Sequence, residues 1–159
     1  MIILGIDPGL ATTGYGVIKE EGEALESLGY GCIKTKAGVE KTRRYCEIFD
    51  GIMEIMREFK PDILAVESLF FNKNTKTALM VGASLGIIFL AAGKFGIPLV
   101  EYTPLQVKEC LTGFGRAKKN QIREIVQIEL ELEKPPTPID ASDALAIALC
   151  HYHLDEMDE

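Results

Sequence analysis

The chain has 159 residues, with 47% hydrophobic residues, 26% charged residues and a formal net charge of −7 at pH 7. This length and mixture are typical of one globular domain with an ordinary apolar core. Its four scattered cysteines contain no C-x-x-C pair, which argues against a zinc site and a compact disulfide framework. We expect reduced, mostly buried thiols in a cytoplasmic protein without a signal peptide.

The first third of the chain predicts three strands followed by a helix. Alternating and apolar runs at residues 2–7, 14–20 and 24–35 are typical of strands, and the short breaks between them favour antiparallel hairpins. Residues 39–58 place apolar side chains at intervals of three and four, which indicates an amphipathic helix.

The rest of the chain alternates strands with helices. A strand at 63–67, a nearly all-apolar helix at 75–95 and a strand at 97–102 form a crossover unit. The later helices are predicted at 104–111, 118–132 and 140–153, with a proline-rich linker at 133–139 and an acidic tail from about residue 154. This order predicts a single α/β domain, 1–159, with a mixed five-stranded sheet and helices on both faces.

Positive charge is concentrated in two segments of this acidic chain. The first contains Lys34, Lys36, Lys41, Arg43 and Arg44, and the second contains Lys108, Arg116, Lys118, Lys119 and Arg123. Acids cluster elsewhere, at 129–133 and 155–159, which leaves room for a local basic surface. Composition alone leaves open whether the two segments bind nucleic acid or are ordinary solvated faces.

Four acids occupy positions where a folded domain avoids charge. Asp7 and Glu67 each end an apolar strand. Asp140 and Asp143 open the apolar segment 144–149 and, three residues apart, share one face of a helix. The ends of parallel strands meet at one sheet edge, and a divalent cation compensates several buried carboxylates at once. The pattern therefore predicts a magnesium-type site that can hold two ions and perform phosphodiester chemistry.

Each acid also has an ordinary structural interpretation. Asp7 belongs to a Pro-Gly turn, and Glu67 could mark where a strand meets water. Asp140 could cap the last helix, with Asp143 favoured by the positive end of the helix dipole. Together these interpretations require four coincidences, although the helix start covers two of them.

Blocks spread from Ile3 to about His151 carry a family resemblance. The blocks are Gly5-Ile6-Asp7-Pro8-Gly9, Thr12-Thr13-Gly14-Tyr15-Gly16, Ala65-Val66-Glu67-Ser68-Leu69-Phe70, Gln106-Val107-Lys108, Ala117-Lys118-Lys119 and Asp140-Ala141-Ser142-Asp143-Ala144. In this order and spacing, they resemble the RuvC family of Holliday-junction resolvases. The first block alone would be weak, because other members of the ribonuclease H superfamily share it.

The resemblance implies a ribonuclease H-like fold and a homodimeric enzyme, a crossover junction endodeoxyribonuclease of homologous recombination and DNA repair. Such an enzyme cuts four-way DNA junctions by paired symmetric nicks and leaves 5′-phosphate and 3′-hydroxyl ends. The resemblance also implies that Asp7, Glu67, Asp140 and Asp143 are catalytic and bind Mg²⁺ or Mn²⁺, two ions per site. Some relatives have histidine in place of Asp140.

The resemblance further implies DNA contacts. Phe70 matches an aromatic residue that stacks on a base near the crossover, a contact worth about 1–3 kcal/mol per base. Lys108 and Lys119 match basic residues near the cut, and Lys119 would offset charge that develops on the phosphate. We also expect DNA contacts from Phe71, Lys73, Lys76, Arg116 and Lys118. The implied protein partner is the RuvA–RuvB branch-migration complex.

Two features outside the acids carry their own expectations. The uncharged stretch 77–93 is at the short limit of a membrane span, so we expect a buried helix and no membrane partner. Small residues such as Gly82 and Gly86 permit close helix approach, which predicts that part of this helix lies on a dimer axis. His151 lies about 12 Å along a helix from Asp143, which argues against a shared metal site and favours a surface histidine near a fraying terminus.

Two other functions fit parts of the pattern. A related ribonuclease H-like nuclease would cut structured RNA, such as a ribosomal RNA precursor. A non-catalytic binder, or part of a sugar-kinase or actin-type ATPase, would share the D-x-G turn after the first strand. The ATPase would also need a second similar domain and a glycine-rich adenosine motif, neither of which this sequence contains.

Overall fold

A mixed five-stranded sheet forms the centre of the protein, whose computed structural model describes residues 1–22, 24–68 and 75–158. The strands are β1 (Ile2–Asp7), β2 (Thr12–Glu21), β3 (Ala24–Lys34), β4 (Ile63–Glu67) and β5 (Leu99–Tyr102). Their order in the sheet is β3-β2-β1-β4-β5. The hairpin pairs β1–β2 and β2–β3 are antiparallel, whereas β1–β4 and β4–β5 are parallel. The predicted mixed five-stranded sheet is confirmed.

Helices cover both faces of this sheet, as predicted. They are α1 (Lys41–Phe59), α2 (Thr75–Phe95), α3 (Pro104–Thr112), α4 (Lys119–Glu129) and α5 (Ile139–Asp158). α1 and α2 pack on one face, and α3, α4 and α5 pack on the other. Successive β1 side chains enter opposite cores, because strand side chains alternate between faces: Ile3 joins the α5 core, and Leu4 joins the α1–α2 core.

α5 lies directly against the sheet at glycines of β1 and β2. A Cβ atom on Gly5 would overlap the carbonyl oxygen of Ala144, and one on Gly14 would overlap that of Asp140. A Cβ atom on Gly16 would likewise overlap the side chain of Leu145. These three glycines therefore fix how closely α5 approaches the strands, and with it the position of every side chain on the helix.

The C-terminal helix is longer than the sequence predicts. α5 continues to Asp158, so the acidic tail expected from about residue 154 is helical instead. His151 is buried, with 5% of its surface exposed, and its Nδ1 lies 2.7 Å from the Tyr102 hydroxyl oxygen. The prediction of a surface histidine near a fraying end is therefore wrong, because α5 packs against β5 and α3 along this part of its length.

α2 is only partly buried, which corrects the prediction of a buried helix. Leu85, Ile88 and Ala92 face the core, whereas Leu79 and Leu90 are 75% and 54% exposed. Within the described residues, α2 is the one helix long and apolar enough to cross a membrane by length and composition alone. Its exposed apolar side chains form a stripe opposite the face that packs on α1, which leaves that stripe available to another surface.

Element boundaries differ from the prediction by a few residues, for local reasons. β5 begins at Leu99, because Pro98 has no N–H to donate to the sheet. α4 ends at Glu129, and Glu131 beyond it adopts a left-handed conformation with φ 48°. Among the cysteines Cys150 is buried as expected, but Cys46 is exposed, so the expectation of mostly buried thiols holds only in part.

Candidate active site

Two of the four acids meet at the carboxyl ends of neighbouring strands. β1 and β4 run parallel with Ile6 opposite Val66, so Asp7 and Glu67 follow at the same sheet edge. The turn after Asp7 is held by Thr13, a buried residue whose hydroxyl donates a 2.6 Å hydrogen bond to the Gly9 carbonyl. Strand pairing and this turn together fix where the Asp7 carboxylate leaves the sheet.

α5 brings the other two acids over the same edge. Asp140 lies in the first turn of the helix and contacts Gly14, the β2 residue that pairs with Asp7. The alternative in which Asp140 caps the helix is wrong, because the helix begins at Ile139 and the Pro138 carbonyl accepts its first backbone hydrogen bonds. Asp143 lies one turn further on and faces the strand ends.

A cleft of about 220 Å³ joins these groups. Its charged walls are Asp7, Glu67, Asp143, Lys108 and Lys119. Its apolar walls come from α3, α4 and α5 and consist of Pro104, Val107, Ile122, Ala146 and Ile147. The cleft therefore places three carboxylates and two ammonium groups around one solvent-accessible space at the sheet edge.

The two cleft lysines are positioned by helix starts. Thr103 caps α3: its hydroxyl accepts from the Gln106 N–H at 3.1 Å, and Gln106 Oε1 accepts from the Thr103 N–H at 2.8 Å. This reciprocal capping orients the first turn, from which Lys108 reaches the cleft. At the start of α4, Gln121 Oε1 likewise accepts from the Lys118 N–H, and Lys119 follows as the first helical residue.

Lys119 and Asp143 form the direct contact across the cleft. Lys119 Nζ lies 2.8 Å from Asp143 Oδ2, in a bond that links α4 to α5. The hydrogen bond with Asp143 is the main reason that the pKa of the Lys119 ammonium is raised. Lys119 is therefore charged throughout the neutral pH range and supplies positive charge beside the acids.

Burial and the surrounding negative charge raise the pKa values of two acids in the cleft, Asp7 and Glu67. Burial, followed by the charges of Glu67, Asp143 and Asp140, raises the pKa of Asp7 to about 8. Burial and the charge of Asp143 also raise the pKa of Glu67, although Lys119 and Lys108 oppose the effect. Carboxylates this crowded favour either a proton or an additional cation. The donor set of hard oxygens fits a divalent ion of the magnesium type.

The carboxylates do not yet converge as the ligands of one ion would. In residues 1–22, 24–68 and 75–158, no three His, Cys, Asp or Glu side chains stand close enough together to coordinate a metal. Asp143 is turned toward Lys119, whose Nζ lies 2.8 Å from Asp143 Oδ2. Asp7, Glu67 and Asp143 share the cleft, whereas Asp140 lies beside it, nearer to β2.

The predicted DNA-contact residues fall into three groups. Lys108 and Lys119 line the cleft. Arg116 and Lys118 are exposed on the α3–α4 connection, outside the cleft lining. The others, Phe70, Phe71, Lys73 and the side chain of Lys76, lie outside the described residues.

The sequence reading missed the residues that shape the turn after Asp7. The Thr35 hydroxyl donates to the Leu10 carbonyl at 2.5 Å, and the Thr35 N–H donates to the Ala11 carbonyl at 3.0 Å. Together with the Thr13 bond, three successive carbonyls of this turn are held by threonines. The adjacent Thr12-Thr13 pair was a visible signal, but the role of Thr35 depends on the pairing of β3 with β2.

Comparison with known proteins gives a consistent result. The family model described as "Crossover junction endodeoxyribonuclease RuvC" matches residues 3–151. A protein of that name from Moorella thermoacetica is 51% identical over 151 residues, which are 95% of this chain and 90% of the relative.

Solved structures agree with the sequence comparison. Thermus thermophilus RuvC superimposes with a TM-score of 0.92 at 35% identity, covering 99% of this chain and 97% of that one. The same protein in complex with a Holliday junction substrate gives a TM-score of 0.94 at 34% identity, covering 99% and 96% of the two chains. The fold is thus ribonuclease H-like over its whole length.

Proposed function

This chain belongs to the RuvC family of crossover junction endodeoxyribonucleases, and from that membership we propose that its acidic cleft cuts four-way DNA junctions. Two symmetric nicks across the crossover would leave 5′-phosphate and 3′-hydroxyl ends that a ligase can join. The observation that carries the proposal is the cleft that gathers Asp7, Glu67 and Asp143 with two lysines at the strand ends. Such an enzyme would serve homologous recombination and DNA repair in the cytoplasm.

The acids would hold the metal that this family of nucleases requires. Asp7, Glu67 and Asp143 are the ligands in the cleft, and Asp140 joins them from the first turn of α5. Mg²⁺ or Mn²⁺, with two ions per site, would activate a water and stabilise the negative charge of phosphodiester cleavage. The raised pKa values of Asp7 and Glu67 support this role, because burial and neighbouring acids both disfavour the ionised carboxylates and a cation would compensate them.

The two cleft lysines would act on the phosphate. Lys119 stands at Asp143 with its ammonium group charged, and Lys108 faces the same space from α3. A phosphate that enters the cleft would lose contacts with water and gain contacts with the ammonium groups of Lys108 and Lys119. Charge that develops on the phosphate oxygens in the transition state is then offset by fixed groups that need no rearrangement. Lys119 thus has a catalytic role and Lys108 a binding role.

Other residues would recognise the junction rather than cut it. Phe70, with Phe71 beside it, would present an aromatic face to a base unstacked at the crossover. Lys73, Lys76, Arg116 and Lys118 would contact phosphates on either side. The exposed positions of Arg116 and Lys118 beside the cleft lysines support their part of this assignment.

A homodimer would place two such clefts on one junction. The exposed apolar stripe of α2, which contains Leu79 and Leu90, supports a helix-to-helix contact on a two-fold axis. Gly86 is exposed on the same helix, and nothing lies within 4 Å of its absent Cβ, so a second backbone can approach closely there. In the cell, the RuvA–RuvB branch-migration complex would present the junction.

The decisive experiment is a nuclease assay on a mobile four-way junction with and without Mg²⁺, comparing the native chain with Asp7→Asn. We expect paired nicks from the native chain only with metal, and a loss of cleavage in Asp7→Asn without loss of junction binding. Undiminished cleavage by Asp7→Asn would remove the acids from the mechanism. Faster cleavage of structured RNA than of the junction would favour a ribosomal-RNA-processing activity instead.

A further inference from the structure

A second group of cations lies apart from the cleft lysines. It consists of Lys34 at the end of β3, Lys36 in the following loop, and Lys41, Arg43 and Arg44 at the start of α1. We call these five residues the basic rim. Over residues 34–44 they are accompanied by a single acid, Glu40, in a chain whose net charge is −7. The proposed cleavage chemistry makes no use of this group.

The basic rim lies on the same sheet edge as the catalytic acids. Asp7 pairs with Gly14, Gly14 pairs with Cys32, and Lys34 follows two residues later toward the same edge. With strands about 4.8 Å apart and a rise of about 3.4 Å per residue, the Cα atoms of Asp7 and Lys34 are roughly 12 Å apart. β3 and β5 are the opposite margins of the sheet, so the basic rim and the α3–α4 lysines lie on opposite sides of the acids.

Among the described side chains, only Arg43 of the basic rim has an ion-pair partner: its Nε lies 3.4 Å from Glu47 Oε1. Lys34, Lys36 and Lys41 are exposed, and none of them forms an ion pair with a described side chain. The first turn of α1 contains no acid, and its N-cap residue Glu40 makes no side-chain capping bond. Cations at a helix N-terminus oppose the helix dipole, so Lys41 and its neighbours weaken α1. A local cost of this kind often marks a position used for function.

One member of the basic rim is connected to the turn that follows Asp7. Arg44 Nε donates a 2.8 Å hydrogen bond to the Thr35 hydroxyl oxygen. That hydroxyl in turn donates to the Leu10 carbonyl at 2.5 Å. The guanidinium is therefore anchored by one nitrogen beside the turn. An anion bound at Arg44 would lie one side chain from the turn of the catalytic strand.

We propose that the basic rim binds the phosphate backbone of the duplex arm that leaves the cleft on the β3 side of Asp7. The proposal rests on the proposed function, since it supplies the continuation of a DNA strand already held at the acids. Phosphates follow one another by about 3.4 Å per strand along a duplex axis, so 12 Å corresponds to three or four of them. Unpaired lysines at that distance match a backbone that runs from the cleft across β2 to β3.

The test is the salt dependence of junction binding, measured in an Asp7→Asn background so that no cleavage occurs. The rim variant carries Lys34→Gln, Lys36→Gln and Lys41→Gln. A charge-matched control carries Lys19→Gln, Arg57→Gln and Lys60→Gln, which lie toward the opposite sheet edge. Each phosphate contact contributes about −0.9 to the slope of log Kobs against log salt concentration. We expect the slope of the rim variant to be shallower by about 2–3 and that of the control to be unchanged.

A rim variant whose slope equals that of the control would overturn the proposal. A second variant, Lys41→Glu, separates binding from folding, because an acid in the first turn favours α1. We expect it to raise Tm while weakening junction binding several-fold, which loss of structure cannot explain. Equal binding by Lys41→Glu and the parent chain would also count against the rim.

Failure of the rim and failure of the proposed function give different results. If the chain with native Asp7 cuts junctions and the rim variant keeps the parent slope, only the rim is refuted. If that chain cuts no junction but the rim variant still loses salt dependence, the rim survives as a DNA-binding surface and the cleavage activity is refuted.

Discussion

Lys119 Nζ and Asp143 Oδ2 lie 2.8 Å apart and link α4 to α5 across the cleft. The contact pairs the proposed phosphate-stabilising lysine with a proposed metal ligand. One positive charge thereby offsets part of the repulsion among Asp7, Glu67 and Asp143. Asp7, Glu67 and Asp143 would hold a divalent ion whose charge would offset the same repulsion, and the Lys119 ammonium group would then be available to the phosphate.

Lys119→Gln should slow junction cleavage by about 10²–10³-fold under single-turnover conditions with saturating enzyme. The neutral amide keeps much of the side-chain volume but cannot offset charge on the phosphate. Binding should change little, because one phosphate contact is a small part of the total. Lys134→Gln, at an exposed loop position, is the matched control and should cut at the native rate. Native-like cleavage by Lys119→Gln would leave this lysine with a structural role only.

Asp7 should make the metal-free protein less stable as pH rises. Its pKa is about 8 in the folded protein against an ordinary value of 3.8, so the folded state retains a proton that the unfolded chain releases. The free energy of unfolding therefore falls between about pH 4 and pH 8 and levels off above that range. The raised pKa of Glu67 acts in the same direction.

The asparagine of Asp7→Asn cannot ionise. The variant should therefore lack the part of the fall in unfolding free energy that Asp7 causes. We expect its advantage in unfolding free energy over the native chain to be about 1–3 kcal/mol larger at pH 8 than at pH 5. Denaturant unfolding in the presence of a chelator measures the difference. Parallel pH profiles for the two proteins would show that Asp7 titrates at its ordinary value.

Leu90→Arg on α2 should abolish the proposed dimer without unfolding the protomer. Leu90 is 54% exposed, so the charged side chain meets water in the monomer but would be buried at a two-fold helix contact. Light scattering should report a monomer, and paired nicking should give way to single nicks. Ile128→Arg is the control, because Ile128 is 74% exposed on α4 and should leave the assembly intact. A native chain that is monomeric at micromolar concentration would refute the dimer itself.

Gly5→Ala should lower both the stability of the fold and the rate of cleavage. The added methyl group would overlap the backbone carbonyl of Ala144, which cannot rotate away, so α5 must shift. Overpacking of this kind costs about 1–3 kcal/mol or more. Gly51→Ala makes the same change in α1, where the new atom meets the flexible end of Ile33 at 2.9 Å. The control should be nearly neutral, since alanine favours the helix by about 1 kcal/mol.

The strands and the acids at their ends follow from local pattern. Apolar runs that stop at Asp7 and Glu67 mark buried strands that emerge at one sheet edge, and parallel pairing then brings the two residues together. The position of α5 could not be foreseen in the same way. In sequence, Gly5 and Gly14 are simply members of predicted strands, and only the folded sheet shows that they receive a helix.

Contacts between side chains that are far apart in the sequence could not be predicted from it either. The bond between Lys119 and Asp143 joins residues 24 apart and depends on how α4 packs against α5. The burial of His151 depends on its contact with Tyr102, at a separation of 49 residues. The acids of the last segment suggested a solvated tail, whereas the helix periodicity simply continues through them to Asp158.

α5 carries acids of the proposed active site and also forms part of the core. The helix supplies Asp140 and Asp143, and its buried residues between Leu145 and Tyr152 form a large part of one core. A chain that lacks these 20 residues loses two of the four proposed catalytic acids and 7 of the 17 buried residues of that core at the same time. Loss of α5 by incomplete translation or proteolysis should therefore remove the fold and the acidic site together.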